Sequence, residues 1–286
     1  MTIMQKGIRK ILTISLIILM ILPAILANYT SAVDEAQKPN YSIGDYWKYS
    51  VRYFDAKLNG TTTKRIVGES NMTMDGKLYN CFVIETSHIM QGWTFTFNIY
   101  IEKENYTIVK EDSQVSLNGA IIQIINATYS PPFNELDFPM TMGKNWTTEG
   151  MRNVTTTLPP RLPETKILPF SQNFSVGRTT ERVNVPAGEF DTFVIEYLYL
   201  DGRYEEYYSP EVSGNVRESQ YNRRGEEITR MELLESNYIP QSGLEWWVWL
   251  AIAAIVITSV SIAAVYIWRT KIVPQWKRSC EEDSLS

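Results

Sequence analysis

The chain is poor in the residues on which most catalytic and metal chemistry depends. Histidine occurs once, as His88, and cysteine twice, as Cys81 and Cys280, in 286 residues. A single imidazole excludes a His-Glu-x-x-His helix, the sequence around His88 signals no Ser-His-Asp or Cys-His arrangement, and the two distant cysteines form no Cys-x-x-Cys pair. No glycine-rich phosphate loop follows a strand-like run. The sequence therefore points to no catalytic residue, no metal and no cofactor. Between Val33 and Pro240 there is no long basic run. There, 28 Asp and Glu outweigh 20 Lys and Arg, a net of −8, which does not suit nucleic acid or anionic lipid. That segment also has no convincing 3.6-residue apolar period, which argues against a helical domain.

What the middle lacks in long apolar runs, the ends supply. Lys6, Arg9 and Lys10 precede the apolar block Ile11–Ala27, and small residues follow, as in a secretory signal peptide. Residues 1–32 are read as that peptide, or as an uncleaved anchor, because the block overruns the usual length. The second block, Trp246–Trp268, carries no charge over 23 residues. At about 1.5 Å per residue it spans a hydrocarbon core of ~30 Å. Trp246, Trp247 and Trp249 at one end and Tyr266 and Trp268 at the other read as interfacial belts. Arg269, Lys271, Lys277 and Arg278 follow. The expectation is a transmembrane helix over 244–268 and a cytoplasmic tail over 269–286, with the middle of the chain outside a cell membrane. Cys81 and Cys280 then lie on opposite sides and cannot bridge, so the outer segment is held by its own core.

Nine Asn-x-Ser/Thr sequons stand in the chain where 17 Asn and 46 Ser and Thr would give about three by chance. The excess fits a chain exposed to N-glycosylation. Asn28 falls within the leader. The candidates in the outer segment are Asn40, Asn59, Asn71, Asn105, Asn126, Asn145, Asn153 and Asn173.

The outer segment reads as β throughout. Trp93, Phe95, Phe97 and Ile99 alternate with Thr94, Thr96 and Asn98, the period of a half-buried antiparallel strand. Similar runs are Tyr46–Tyr53, Thr62–Glu69, Tyr79–His88, Tyr106–Glu111, Ile121–Thr128, Trp146–Thr155, Val176–Val183, Phe190–Leu200, Arg203–Tyr208, Val216–Tyr221 and Glu227–Leu234. Asp75-Gly76, Asn118-Gly119, Pro186-Ala187-Gly188, Asp201-Gly202 and Arg224-Gly225 punctuate them as turns.

The pattern repeats. Ser42–Trp47 parallels Thr141–Trp146, Phe82-Val83-Ile84-Glu85 is identical to Phe193-Val194-Ile195-Glu196, Val109-Lys110-Glu111 parallels Val216-Arg217-Glu218, and Gly119 parallels Gly225. The offsets are 99, 111, 107 and 106 residues, in one order. Self-similarity of this kind marks duplicated units, here 33–130 and 131–240, sharing one core or forming two. Pro159–Pro163 reads as a loop inserted in the second copy.

Val185-Pro186-Ala187-Gly188-Glu189-Phe190, followed by Tyr207-Tyr208-Ser209-Pro210-Glu211-Val212-Ser213-Gly214, resembles a motif pair of exported prokaryotic proteins. Those proteins are similar to the curved antiparallel half-barrels of the lipoprotein-carrier (LolA-like) class. The first copy departs from the motif, with Met74-Asp75-Gly76 at the turn, and Ser213 is an extra residue. The resemblance implies a fold and transfers no catalytic residue. Together the readings give a mainly β protein: a curved antiparallel sheet, half-barrel or sandwich of two repeats, plus the C-terminal transmembrane helix.

Three features bear on function. His88 shares a strand face with Phe82 and Ile84, which favours a packed histidine over a base. Glu85 and Glu196, equivalent in the repeat, form a conceivable acid–base pair, but solvated charges on a half-buried sheet explain them as well. The aromatic residues Trp93, Phe95, Phe97, Tyr197, Tyr199, Tyr204 and Tyr208 either line an apolar cavity or fill a core that no disulfide supports. The function expected is a membrane-anchored envelope module that binds a lipid, a glycan or a protein partner. The alternative is an extracytoplasmic glycan hydrolase working through dispersed carboxylates.

Overall fold

The computed structural model describes residues 35–199 and 202–238. The two apolar terminal blocks, and with them the expected leader and membrane helix, lie outside the described residues. Among the described residues no helix is long and apolar enough to cross a membrane.

Fifteen strands make up the described chain: β1 (Glu35–Ala36), β2 (Tyr46–Tyr53), β3 (Leu58–Met74), β4 (Lys77–Met90), β5 (Trp93–Glu102), β6 (Ile108–Leu117), β7 (Ala120–Phe133), β8 (Met140–Thr141), β9 (Asn145–Thr157), β10 (Glu164–Val176), β11 (Glu181–Val185), β12 (Gly188–Tyr199), β13 (Gly202–Ser209), β14 (Gly214–Tyr221) and β15 (Glu227–Ser236). All pairings are antiparallel. The main sheet runs β10-β9-β7-β6-β5-β4-β3-β2-β15-β14-β13-β12, and β10 also pairs with β12. Twelve strands thus close into a ring, not the half-barrel or sandwich expected. Closure joins the ends of the sheet that would otherwise be open, and leaves Glu164–Asn173 of β10 paired on one side only.

Local chemistry sets three of the hairpins. Asp75-Gly76, Gln91-Gly92 and Asn118-Gly119 each take positive φ at both residues. Asp, Asn and Gly tolerate that region, and the resulting two-residue turn matches the twist of the strands it joins.

The seam is different. Only Phe174, Ser175 and Val176 of β10 pair with Tyr197, Glu196 and Ile195 of β12. The chain then breaks at Gly177, whose amide donates to Val194 O at 2.8 Å. It re-forms as β11, which pairs with the first half of β12. The run Val176–Val183 is therefore two strand ends with a break between them. Strand β10 itself was hidden in the sequence by the Pro-rich loop and by Pro169. Proline is tolerated there because Glu164–Asn173 pair on one side only, so one edge needs no donor.

Side chains opposite one another across neighbouring strands share a face. Following the register inward gives Trp47, Tyr49 and Val51 on β2, opposed by Lys64, Thr62 and Gly60 on β3 and by Leu233 and Met231 on β15. Next to β3 come Ile84, Thr86 and His88 on β4, then Ile99, Phe97 and Phe95 on β5. On the far wall are Phe193, Ile195 and Tyr197 of β12 with Tyr208, Glu206 and Tyr204 of β13.

One end of the barrel is plugged. Trp47 Nε1 donates to Val212 O at 2.7 Å, Tyr41 OH donates to Ser213 O at 3.1 Å, and Tyr106 OH bonds to Pro39 O. The rings of Tyr41, Trp47, Phe82, Tyr106 and Tyr238 meet there at centroid distances of 5.5 to 6.4 Å. Phe193, Ile195, Tyr208, Phe174 and Met140 form the adjoining cluster, with Tyr208 and Ile195 fully buried. The described chain starts and finishes at this end. The hairpins β2/β3, β4/β5, β6/β7, β9/β10, β12/β13 and β14/β15 form the other rim.

Candidate functional site

At that second rim the barrel opens into its own lumen. The mouth is a cavity of about 340 Å³, walled by Tyr53, His88, Phe95, Phe97 and Tyr204, with Lys64 and Glu218 below them. Ligand cavities usually measure roughly 300–1,000 Å³. Trp93 stacks on Phe95 at 6.1 Å. Outside the cavity the rim carries exposed apolar side chains: Ile89, Ile121, Ile122, Leu158, Leu162 and Leu198.

The wall is built by alternation. On β5 every second residue turns inward, so Phe95 and Phe97 face the lumen while Thr94, Thr96 and Asn98 face out. Gly60 makes room for the neighbouring ring, since a Cβ there would lie 2.9 Å from His88 Cε1. His88 is held by Tyr53 OH at 3.1 Å and Thr62 Oγ1 at 2.8 Å. Burial lowers its pKa. Both ring nitrogens have protein partners, as a packed histidine should.

The floor is polar. Lys64 Nζ lies 2.9 Å from Glu218 Oε1, although β2 and β15 separate their strands. The pair meets on the concave side of the sheet, yet the side chains keep 31% and 29% of their surface accessible. Side chains inside a filled barrel would not; the lumen is hollow. Burial alone would lower the lysine pKa, but Glu218 and Tyr49 beside it raise it overall, so the charge is held. Asn215 Nδ2 donates to Glu206 Oε2 at 3.1 Å and to Glu218 Oε1 at 3.0 Å. Tyr197 OH donates to Glu206 Oε1 at 2.8 Å. On another wall, Arg152 pairs with Glu111 at 3.1 Å, and Tyr129 OH donates to the same carboxylate.

The remaining carboxyls are hard to ionise. Burial, then Glu218, pushes Glu206 up to about 7. Burial, then Glu206, pushes Glu135 up to about 8. Like charges in a partly desolvated space disfavour ionisation, so both keep their protons to higher pH than an ordinary glutamate.

Thr86 Oγ1 in the cavity wall lacks a protein partner, as do Arg152 Nε and Asn215 Oδ1 outside the cavity lining. Thr86 is only 8% exposed and lies among the cavity walls between Lys64 and Phe97.

The sequence-derived candidates divide. Phe95, Phe97 and Tyr204 line the cavity. Tyr197 stacks on Tyr204 at 5.2 Å and belongs to the floor. Tyr208 is fully buried at the plugged end. Tyr199 lies at the end of β12, where only the backbone is described. Glu85 is exposed on β4 and Glu196 half-buried on β12, both facing out and several strands apart, so they form no pair. Cys81 is fully buried beside Tyr79 and Val109 on the outer face, and burial pushes its thiol up to about 11. Seven sequon asparagines are exposed, and Asn126 is half-buried. Asn145 and Asn173 line a second groove of about 620 Å³ at the seam, together with Trp146, Phe174, Glu196 and Tyr197. Among the described residues no three His, Cys, Asp or Glu form a group that could hold a metal ion.

The charges of the floor escaped sequence reasoning, with one signal overlooked. Glu111 and Glu218 are the equivalent carboxylates of the repeat. Both face the lumen, each paired with a cation from the other half of the chain.

No family model matches the chain, and no curated protein matches it. Among solved structures it is similar to a Bacteroides fragilis protein described as exported and of YmcC-like fold, at 15% identity and a TM-score of 0.40. It is also similar to a Parabacteroides distasonis protein described as a lipoprotein, at 15% identity and a TM-score of 0.30. Each comparison covers 71% of this chain and 99% of the other.

Proposed function

We propose that this protein is a membrane-anchored envelope module whose barrel lumen holds a small amphipathic ligand. The observation that carries the reading is the hollow lumen itself: an aromatic mouth of about 340 Å³ leading to a solvated ion pair. An aromatic wall takes apolar surface, and a few fixed polar groups orient what enters. Both ends of the described chain sit at the plugged end, away from the mouth. We assign the anchoring to the C-terminal helix over 244–268, and the compartment to the cell surface, on the sequence pattern. The ring fits a gene duplication, with β2 to β7 from one copy and β9, β10 and β12 to β15 from the other. In that correspondence Phe82 and Ile84 match Phe193 and Ile195.

The test is binding of N-phenyl-1-naphthylamine, an apolar fluorescent probe. Saturable one-to-one binding is expected, with strong loss when Phe97→Trp narrows the mouth. Binding that Phe97→Trp leaves unchanged would place the probe elsewhere and defeat the reading.

One observation favours a second reading, a glycan hydrolase. Glu206 and Glu218 each lie about 3 Å from one nitrogen, so their nearest oxygens are within about 6 Å of each other. Glu206 has a raised pKa and Glu218 is paired with Lys64, the asymmetry that an acid and a nucleophile would have. The Asn215 amide lies between them, which ranks this reading second. Release of nitrophenol from p-nitrophenyl glycosides, abolished by both Glu206→Gln and Glu218→Gln, would reverse the order.

A further inference from the structure

We infer that the lumen takes its ligand head first and that the head is a neutral, hydroxyl-rich group, such as a sugar carried on an alkyl chain. The inference rests on the lumen-binding reading and specifies its ligand.

Three observations lead there. The first is the order of polarity along the lumen. Exposed aliphatic side chains surround the rim, aromatic rings line the mouth, and charged groups form the floor. A molecule with one polar and one apolar end satisfies this gradient only with its polar end innermost. The reverse orientation would press an alkyl chain against Lys64 and Glu218, stripping water from both without replacing it.

The second is the balance of charge. Lys64 is matched by Glu218, and Arg152 by Glu111. Glu206 is bonded to Tyr197 and Asn215, and shares its surroundings with Glu135 and Glu218. With the two unpaired carboxyls protonated, the floor carries no net charge. With either ionised it is negative. In neither state does it favour a phosphate or sulfate head, and the protonated state offers no free anion for an ammonium head.

The third is Thr86 Oγ1, which stands in the cavity wall without a protein partner and can both donate and accept. A buried polar atom without a partner costs stability, so this one asks for a ligand or water atom. A hydroxyl group matches both of its capacities at once; a carbonyl, a phosphate or a quaternary ammonium does not.

The experiment uses four probes sharing one tail: octyl glucoside, octyl phosphate, octyltrimethylammonium and octanol. Each is titrated calorimetrically, below its micelle threshold, into the full chain held in lipid nanodiscs, with empty nanodiscs subtracted. Octyl glucoside is expected to bind at least about 10-fold more tightly than the other three. Thr86→Val keeps the shape and removes the unpartnered hydroxyl. It should raise the melting temperature while weakening the glucoside severalfold and leaving octanol unchanged; a merely structural role for Thr86 would not separate these readouts. Equal binding of all four probes would overturn the sugar-head assignment while leaving the lumen reading intact. Preference for the phosphate or the ammonium would overturn it likewise. No binding of any probe would overturn both.

Discussion

Lys64 Nζ reaches Glu218 Oε1 at 2.9 Å across two intervening strands, one residue from each half of the chain. A strongly curved sheet brings them together on its concave side. Removing either partner strands the other charge in a confined space. Lys64→Met or Glu218→Leu alone should therefore cost about 1–3 kcal/mol, below the range for fully buried pairs because about a third of each side chain is accessible. The double variant should lose less than the sum of the singles. Urea unfolding of the four proteins measures the coupling, and strict additivity would mean that the pair does not interact.

Stability should fall as pH rises from about 4.5 to about 8. Glu206 and Glu135 have pKa values raised above that of an unfolded carboxyl. The native state then binds more protons than the unfolded one in this window, and unfolding becomes easier with rising pH. The contribution is complete below the unfolded value and is lost through the folded one. His88, lowered by burial, acts in the opposite sense near the acidic half of the window. Glu206→Gln should flatten the fall. Melting temperatures from pH 4.5 to 8.5 decide it, and an unchanged slope in Glu206→Gln would remove Glu206 as its source.

Phe82 and Phe193 are 8% and 1% exposed. Truncating either to alanine should cost roughly 3–5 kcal/mol, with the larger loss at Phe193. Glu85→Gln should cost little, since the carboxylate is solvated. Denaturant midpoints check all three. A neutral Phe193→Ala would be incompatible with its place beside Tyr208 and Phe174.

The free edge of β10 should be visible in amide exchange. Between Glu164 and Asn173, amides directed at β9 are bonded, while alternate ones have no strand partner. Exchange measured by NMR should alternate fast and slow along this run. Amides of Tyr197, Glu196 and Ile195 that meet the seam should be protected. Uniform protection from Glu164 to Asn173 would mean that the seam extends further.

Topology has its own check. Protease added to intact cells should degrade 33–240 and spare 271–286 if the basic flank after Trp268 sets orientation. Loss of the tail with survival of the outer segment would reverse it.

The sequence by itself determined the elements. Alternation of Trp93, Phe95, Phe97 and Ile99 defines a strand with one apolar face, and Asn118-Gly119 and Asp75-Gly76 define tight turns, because strand period and turn dihedrals are local properties. Hence β2 was legible to the residue, whereas β10, with Pro169 and few apolar residues, was not. Only the tertiary structure decided which faces look into a common space. The same alternation fits a packed core and a hollow barrel, and nothing local distinguishes Phe97, at the mouth, from Tyr208, in the plug. Nor does local chemistry announce Lys64 and Glu218, which lie 154 residues apart. Their meeting follows from the pairing of β2 with β15 in a strongly curved sheet, and the ring itself closes through three residue pairs at Phe174–Val176. Closure is a long-range event. It depends on the accumulated twist and register of twelve strands, which no single segment of the sequence encodes.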